Sequence, residues 1–191
     1  MKLKKFNFKT VTSTNDTAIK IIKNSNNRYG IIVADKQKNG RGQYGKKWIS
    51  YKGNLFVSIF FKLDKINLSI TQMTKVNCYL VKKLISDYYK KKITIKLPND
   101  LLINKKKICG ILQETIKKTD ETYMIVGVGI NLIKNPYILK YPTTNLSDVT
   151  NKQINKEKVV IKLKKIYEYF IPLFSKLNLK KINKIYNDTY R

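Results

Sequence analysis

Three strand-like segments that follow one another between residues 93 and 132 constrain the fold more than any other feature of this sequence. They read ITIKL (Ile93–Leu97), KICGILQET (Lys107–Thr115) and YMIVGVGINL (Tyr123–Leu132). β-Branched residues are frequent in all three segments, and no helical pattern separates them. Strands joined by short connections pair side by side in opposite directions, so this run predicts a sheet that is largely antiparallel or mixed.

Helical and strand patterns continue on both sides of this run. The segment Ile70–Tyr89 places apolar side chains every three or four positions, which is typical of a helix with one buried face. The other predicted elements are the strands Gly30–Asp35 and Asn54–Leu63 and the helices Asp16–Lys23, Lys158–Phe174 and Leu179–Tyr190. Together they predict one α/β (α+β) domain, in which helices cover a mixed, largely antiparallel sheet.

Length and composition agree with a single domain over residues 1–191. Of the 191 residues, 42% are hydrophobic, which is enough to bury a core of ordinary size. No apolar run is long enough for a transmembrane helix, and the basic N-terminus MKLKKFNFKT lacks the apolar core of a signal peptide. We therefore expect a cytoplasmic protein that does not associate with membranes.

The absence of histidine and the small number of cysteines exclude several classes of chemistry. A chain without histidine cannot supply a histidine general base or a histidine-containing catalytic triad. Cys78 and Cys109 alone make neither a disulfide framework nor a zinc site.

The formal charge of +28 has two interpretations. A strongly basic chain is typical of proteins that bind nucleic acid. Here, however, the charge comes from 37 lysines and only 3 arginines, and the lysines are spread along the chain. Arginine is the residue that reads bases through paired hydrogen bonds, so we expect solvated lysines, no specific DNA binding, and a field that attracts acidic partners.

The segment NGRGQYGKKW (Asn39–Trp48) collects residues that are rare elsewhere in the chain. It holds three of the eight glycines, one of the three arginines (Arg41) and the only tryptophan (Trp48). Closely spaced glycines let a backbone approach an anion or a flat ligand, and Arg41 would pair with a phosphate or carboxylate. The segment joins two predicted strands, whereas a dinucleotide fingerprint opens a helix. On these residues alone, a ligand cradle and a mobile turn are equally good interpretations.

Two other segments carry weaker signals. In KLPND, Pro98 ends a strand, and Asn99 and Asp100 follow at the tip of a turn, where Asp100 would hold a magnesium ion or orient a lysine. Pro-Asn-Asp is also ordinary turn chemistry. The segment GVGIN (Gly127–Asn131) places two glycines inside a strand, which indicates a bulge or the close approach of a ligand.

Taken in order, four motifs resemble the catalytic domain of the biotin–protein ligases, also called biotin–[acetyl-CoA-carboxylase] ligases. The motifs are STN (Ser13–Asn15), Q..GRG..G..W (Gln37–Trp48), K.PND with K.CGIL (Lys96–Leu112) and GVGIN. The resemblance implies the class II aminoacyl-tRNA synthetase/biotin ligase catalytic fold. It also implies an ATP- and Mg²⁺-dependent reaction in which biotin becomes biotinyl-5′-adenylate. The biotin is then transferred to a lysine of the biotin carboxyl carrier protein of acetyl-CoA carboxylase.

The resemblance also implies a role for each matching position. Lys107 corresponds to the family's active-site lysine, which bridges the biotin carboxylate and the α-phosphate, and Arg41 and Asp100 are the other catalytic candidates. The positions implied to bind biotin or its adenylate are Ser13, Thr14, Asn15, Gln37, Gly40, Arg41, Gly42, Gln43, Lys107, Gly110 and Ile111. The positions implied on the nucleotide side are Trp48, Asn99 and Asn131, with Asp100 as the candidate contact to Mg²⁺.

The sequence departs from the family pattern at several points. Gln43 stands where the family usually has a second arginine, which removes a cation expected to help retain the adenylate. Leu97 stands where a tryptophan usually precedes Pro-Asn-Asp. We also expect no DNA-binding domain before the catalytic domain and no C-terminal β-barrel domain after it.

Three alternatives stay open on the sequence alone. A lipoate–protein ligase shares the fold and the adenylation chemistry, although its members often carry a histidine that this chain lacks. A basic nucleic-acid-binding module would account for the charge, and a non-catalytic biotin-binding relative would account for Gln43. Neither a monomer nor a homodimer is favoured.

Overall fold

The computed structural model describes residues 1–63, 66 and 68–177 of the chain. In this part of the chain a seven-stranded sheet is packed against four α-helices. The strands are β1 (Lys4–Val11), β2 (Tyr29–Gln37), β3 (Leu55–Lys62), β4 (Ile93–Lys96), β5 (Asp100–Ile103), β6 (Lys106–Lys118) and β7 (Glu121–Ile130). The helices are α1 (Thr14–Asn24), α2 (Ile70–Ser86), α3 (Leu146–Thr150) and α4 (Lys156–Phe170).

The strand order in the sheet is β1-β2-β3-β7-β6-β5-β4. β1 runs parallel to β2, and every other neighbouring pair is antiparallel. The prediction of a mixed, largely antiparallel sheet backed by helices is therefore confirmed. The two longest antiparallel partners, β6 and β7, are joined by a short turn and stand next to each other in the interior of the sheet.

Both faces of the sheet are covered, but by different helices. The alternation along β3 places Leu55, Val57, Ile59 and Phe61 in the larger core, together with buried residues of α2 and α4. Phe60 points to the opposite face, where it packs with Ala18 and Ile22 of α1 in a smaller core. The face that carries α1 is also the face on which the candidate site lies.

The helix predictions were correct in position, with differences at the ends. α2 ends at Ser86, three residues before the predicted end at Tyr89. α4 ends at Phe170, and the chain continues as a 3₁₀ turn over Ile171–Lys176 that contains Pro172. Proline lacks the N–H that the next α-helical turn would need, which accounts for the change. The predicted helix Leu179–Tyr190 lies outside the described residues.

Two strands and one helix were not predicted. β1 is lysine-rich and lies at the edge of the sheet, so its burial pattern is irregular. β5 is only four residues long and begins at Asp100, which therefore starts a strand and does not lie at the tip of the preceding turn. α3 is a five-residue helix. None of the helices in the described part of the chain is long and apolar enough to cross a membrane.

Candidate active site

A cleft of about 230 Å³ opens on the α1 face of the sheet. Its floor is made by β3, β6 and β7, and its rim by the start of α1, the loop between β2 and β3, and the β4–β5 turn. Most of the predicted site residues line it: Ser13, Thr14, Asn15, Gln37, Arg41, Gly42, Gln43, Trp48, Asn99, Asp100, Lys107, Gly110 and Ile111. The fold thus brings the four sequence motifs together around one cavity.

The two remaining predicted residues lie beside this cleft. A Cβ added at Gly40 would meet the Trp48 carbonyl oxygen at 2.7 Å, so the absence of a side chain at Gly40 lets the two ends of this loop lie close together. Asn131 lines a smaller cavity of about 20 Å³, which shares Trp48, Lys107 and Tyr141 with the main cleft.

A β-bulge in β6 turns Lys107 into the cleft. β5 pairs Leu101 with Cys109 and Leu102 with Lys107, which leaves Ile108 as the extra residue of the bulge. In a regular strand, residues 107 and 110 would point to opposite faces. Here a Cβ added at Gly110 would lie 3.4 Å from Lys107 Cε, so both positions face the same side.

Lys107 is held among a carboxylate and two aromatic rings. Its Nζ lies 2.7 Å from Asp100 Oδ1, and the side chain is only 17% exposed. The same nitrogen lies 5.5 Å from the ring centroid of Trp48 and 5.3 Å from that of Tyr141. The arrangement fixes a cation at the wall of the cleft, where it would attract a phosphate or carboxylate group.

The opposite end of the cleft is built from short hydrogen bonds around the start of α1. Ser13 caps the helix, and Gln37 Oε1 accepts from the Thr14 backbone N at 2.9 Å and from Thr14 Oγ1 at 3.1 Å. The amide of Asn15 donates to Glu114 Oε2 at 2.6 Å and accepts from Ser58 Oγ. These contacts leave the polar atoms oriented and close together, as a polar ligand group would require.

Arg41 is bound by two carboxylates. Its terminal nitrogens donate to both oxygens of Glu114 at 2.9 Å, and Nη2 also donates to Asp16 Oδ1 at 2.7 Å. Burial lowers the pKa of Arg41, but the hydrogen bonds and charges of Glu114 and Asp16 outweigh it and raise the pKa above its ordinary value. Arg41 therefore stays a cation, and its charge is already balanced in the ligand-free protein.

The glycines of GVGIN serve contacts within the protein. β7 pairs with β3 and β6 in an unbroken register, so of the two alternatives given for these glycines, a bulge or the close approach of a ligand, the bulge is wrong. A Cβ at Gly127 would lie 2.5 Å from Asn15 Oδ1, and one at Gly129 would lie 2.5 Å from Trp48 Cε2. The groups that approach these glycines closely are the chain's own Asn15 and Trp48, where the alternative in the sequence analysis was a ligand.

Comparison with known proteins identifies the family of the chain that forms this cleft. Residues 7–131 match the model of the Biotin/lipoate A/B protein ligase family. The chain belongs to this family. Among solved structures, "Biotin protein ligase from Aquifex aeolicus in complex with biotin and ATP" is similar with a TM-score of 0.80 and 29% identity, covering 95% of this chain and 76% of that chain. The predicted biotin–protein ligase catalytic fold is thereby confirmed.

Two curated relatives of this ligase-family chain are informative. The Bifunctional ligase/repressor BirA of Bacillus subtilis is 33% identical over 156 residues, covering 78% of this chain and 48% of that protein. The Biotin--[acetyl-CoA-carboxylase] ligase of Paracoccus denitrificans is 28% identical over 108 residues, covering 55% of this chain and 45% of that protein. The chain therefore spans about half the length of the curated relatives it matches.

Several residues of this ligase-family site were missed by the sequence reasoning. Glu114 could have been found from the sequence, because it follows Gly110 and Leu112 at two-residue spacing, which places all three on one face of a strand. Asp16 follows the STN motif and is easily taken for an ordinary acidic residue of a first helical turn. Tyr141 lies in an irregular loop and carries no signal.

The two cysteines are free and buried in the larger core, where burial disfavours the thiolate. Burial, with a smaller contribution from Asp100, raises the pKa of Cys78 to about 12. Burial also raises the pKa of Cys109 well above its ordinary value. The thiolate, which is the reactive form, is therefore scarce at both positions.

The described residues contain no cluster of three or more cysteine, aspartate or glutamate side chains that would hold a metal ion by itself. Asp100 is the one carboxylate among the residues that line the main cleft. A single carboxylate fits a magnesium ion that arrives with the phosphates of a nucleotide, since magnesium is commonly bound in this way.

Proposed function

We propose that this chain activates biotin with ATP, forming biotinyl-5′-adenylate, and then transfers biotin to a lysine of the biotin carboxyl carrier protein of acetyl-CoA carboxylase. The observation that carries the proposal is the bulge at Ile108, which turns Lys107 into the same cleft as the STN motif and the glycine-rich loop. The proposal also draws support from the relatives, which are named as biotin ligases.

In the first step, an oxygen of the biotin carboxylate attacks the α-phosphorus of ATP, and pyrophosphate leaves. In the second step, the amine of the acceptor lysine attacks the acyl carbon of the adenylate and AMP leaves, with loss of the amine proton. Neither step requires a nucleophile from the enzyme, which agrees with the absence of histidine and with the inert cysteines. Positioning and charge stabilisation would supply the rate enhancement.

The biotin end of the cleft is assigned to the start of α1 and the loop over it. Ser13, Thr14, Asn15 and Gln37 would surround the polar head group of biotin. Gly40, Arg41, Gly42 and Gln43 would lie over the ligand, and Gly110 and Ile111 would line the channel between the two ends. The donors and acceptors at the start of α1 are already oriented by hydrogen bonds, so little reorganisation would accompany binding.

The nucleotide end is assigned to the side of the cleft that holds Lys107. Trp48 Nε1 and Asn131 Oδ1 are buried and have no hydrogen-bond partner in the described part of the chain, so they are suited to meet a polar ligand edge. Asn99 would support this end by donating to the Ile111 carbonyl at 2.6 Å. Mg²⁺ bound with ATP would neutralise phosphate charge, and Asp100 is the residue that would contact it.

One reconstituted reaction tests the proposal. Purified protein is mixed with biotin, Mg-ATP and a biotin carboxyl carrier domain, and the mass of the carrier is followed. We expect biotin-dependent release of pyrophosphate and a carrier that gains the mass of one biotinyl group. Modification of a carrier by lipoate, with none by biotin, would instead support a lipoate–protein ligase.

Gln43 offers a separate prediction about the intermediate. Gln43→Arg would add a cation beside the bound adenylate, and one charge-assisted hydrogen bond would slow adenylate release by about tenfold. The measurement is the dissociation rate of preformed biotinyl-adenylate from the enzyme in the absence of carrier. Gln43→Met, which keeps the length but adds no charge, serves as the control and should not slow release.

A further inference from the structure

We propose that Glu114 is a positioning residue that fixes Arg41 and Asn15 together at the biotin end of the cleft. The inference rests on the proposed function and goes beyond it, because Glu114 is not among the residues that line the cleft. Glu114 stands behind two of them, and one of its oxygens, Oε2, accepts from both Arg41 and Asn15. A change at Glu114 would therefore disturb two ligand-facing side chains at once.

The contacts of Arg41 with Glu114 and Asp16 use three of its five N–H donors. Both terminal nitrogens are used by Glu114 and Asp16 in a paired, charge-assisted geometry. The buried Nε has no partner among the described residues. Most of the donors of Arg41 are thus held by the two carboxylates, so its guanidinium stays tied to the protein.

Charge balance favours a neutral ligand group beside this cluster. One cation faces two carboxylates, Asp16 and Glu114, so the cluster is not a positive site. A phosphate placed there would lose part of its attraction to Arg41 and would meet two like charges. The uncharged bicyclic head of biotin carries no such penalty.

The length of β6 separates Arg41 from Lys107. The Lys107 side chain extends along β6 as far as Gly110, where a Cβ would lie 3.4 Å from its Cε, and Glu114 lies four positions further on, about 13 Å away at about 3.3 Å per residue. With Arg41 held by Glu114, its guanidinium serves biotin binding, and the α-phosphate is left to Lys107.

Two measurements on Glu114→Gln and Arg41→Lys test the inference. Each variant should weaken biotin binding by about tenfold in calorimetry, with the KM for ATP unchanged. The double variant should be no worse than Glu114→Gln alone, because the Arg41–Glu114 contact is already disturbed in that variant. An increase in the KM for ATP or a lower kcat in Arg41→Lys, with biotin affinity intact, would overturn the inference and make Arg41 a phosphate ligand.

The control is Glu157→Gln, which removes an exposed carboxylate 3.3 Å from Lys5 Nζ. This variant should change neither the affinity for biotin nor the KM for ATP. A ligand-free readout is hydrogen exchange at the Trp48 amide, which donates to the Gly40 carbonyl at 2.9 Å and should exchange faster in Glu114→Gln. Wild-type protein that binds no biotin would refute the proposed function itself. Normal wild-type binding with an unaffected Glu114→Gln would refute only the inference.

Discussion

Lys107→Ala is expected to lower the rate of biotinyl-adenylate formation by roughly 100- to 1000-fold, the usual cost of removing one group that stabilises charge in a transition state. The reason is its position: the ammonium stands at the wall of the cleft, 2.7 Å from Asp100 and close to two aromatic rings. In the variant, Asp100 would keep its negative charge without the nearby cation. The phosphates of ATP would then lose the attraction of the Lys107 ammonium and would also be repelled by the Asp100 carboxylate.

The fold should survive this substitution. The backbone of Lys107 donates to the Pro142 carbonyl at 2.9 Å and accepts from the Thr144 amide at 2.9 Å, and neither bond depends on the side chain. Biotin affinity should fall far less than the rate, because Lys107 would meet only the carboxylate of biotin and the head group is assigned to the far end of the cleft. Loss of catalysis with retained biotin binding is therefore the signature to look for.

The measurement is biotin-dependent exchange of pyrophosphate into ATP. Lys106→Ala is a matched control, since Lys106 is the preceding residue of the same strand and is exposed to solvent. It should keep the wild-type rate. A Lys107→Ala enzyme with an unchanged rate would remove Lys107 from the mechanism.

Sequence alone points to Lys107 as an active-site residue only through the family resemblance, because the bulge that turns it into the cleft cannot be seen in the sequence. Periodicity along KKICGIL predicts that Lys107 and Gly110 face opposite sides, and three lysines in a row favour solvent. The extra residue at Ile108 is set by pairing with β5, a strand that sequence reasoning did not predict. Local pattern cannot show a register that depends on a partner strand.

The parts of the fold that were predicted are those in which one local pattern decides the outcome. The stripe of Met73, Val76, Leu80 and Leu84 fixes α2, and continuous β-branched runs fix β2, β3 and β7. The ion pairs of Arg41 are different in kind. They join the loop after β2 to α1 and β6, 25 and 73 positions away, so no short window of sequence contains them.

A pair of glycine substitutions should separate the two ends of the cleft. Gly127 and Gly129 lie two positions apart on β7 and face the same side of the sheet. A Cβ at Gly127 would meet Asn15 Oδ1 at 2.5 Å, whereas one at Gly129 would meet the Trp48 ring at 2.5 Å. The same chemical change, glycine to alanine, thus strikes the assigned biotin end in one case and the assigned nucleotide end in the other.

Gly127→Ala should weaken biotin binding, and Gly129→Ala should raise the KM for ATP, each by about 5- to 150-fold. This range corresponds to the roughly 1–3 kcal/mol that overpacking commonly costs. Each variant should leave the value for the other ligand within about threefold of wild type: the KM for ATP in Gly127→Ala and the biotin affinity in Gly129→Ala. The reason is that the clashing groups lie on separate elements, α1 and the loop before β3.

Because Trp48 is the only tryptophan, its fluorescence reports the second clash without any ligand. The emission should shift in Gly129→Ala, as the indole leaves its contact with the sheet, and should stay unchanged in Gly127→Ala. Calorimetry with biotin and steady-state kinetics with ATP complete the comparison. If both variants weakened the binding of biotin and of ATP equally, the two glycines would be needed for the structure of the whole sheet. The division of the cleft into a biotin end at Asn15 and a nucleotide end at Trp48 would then be wrong.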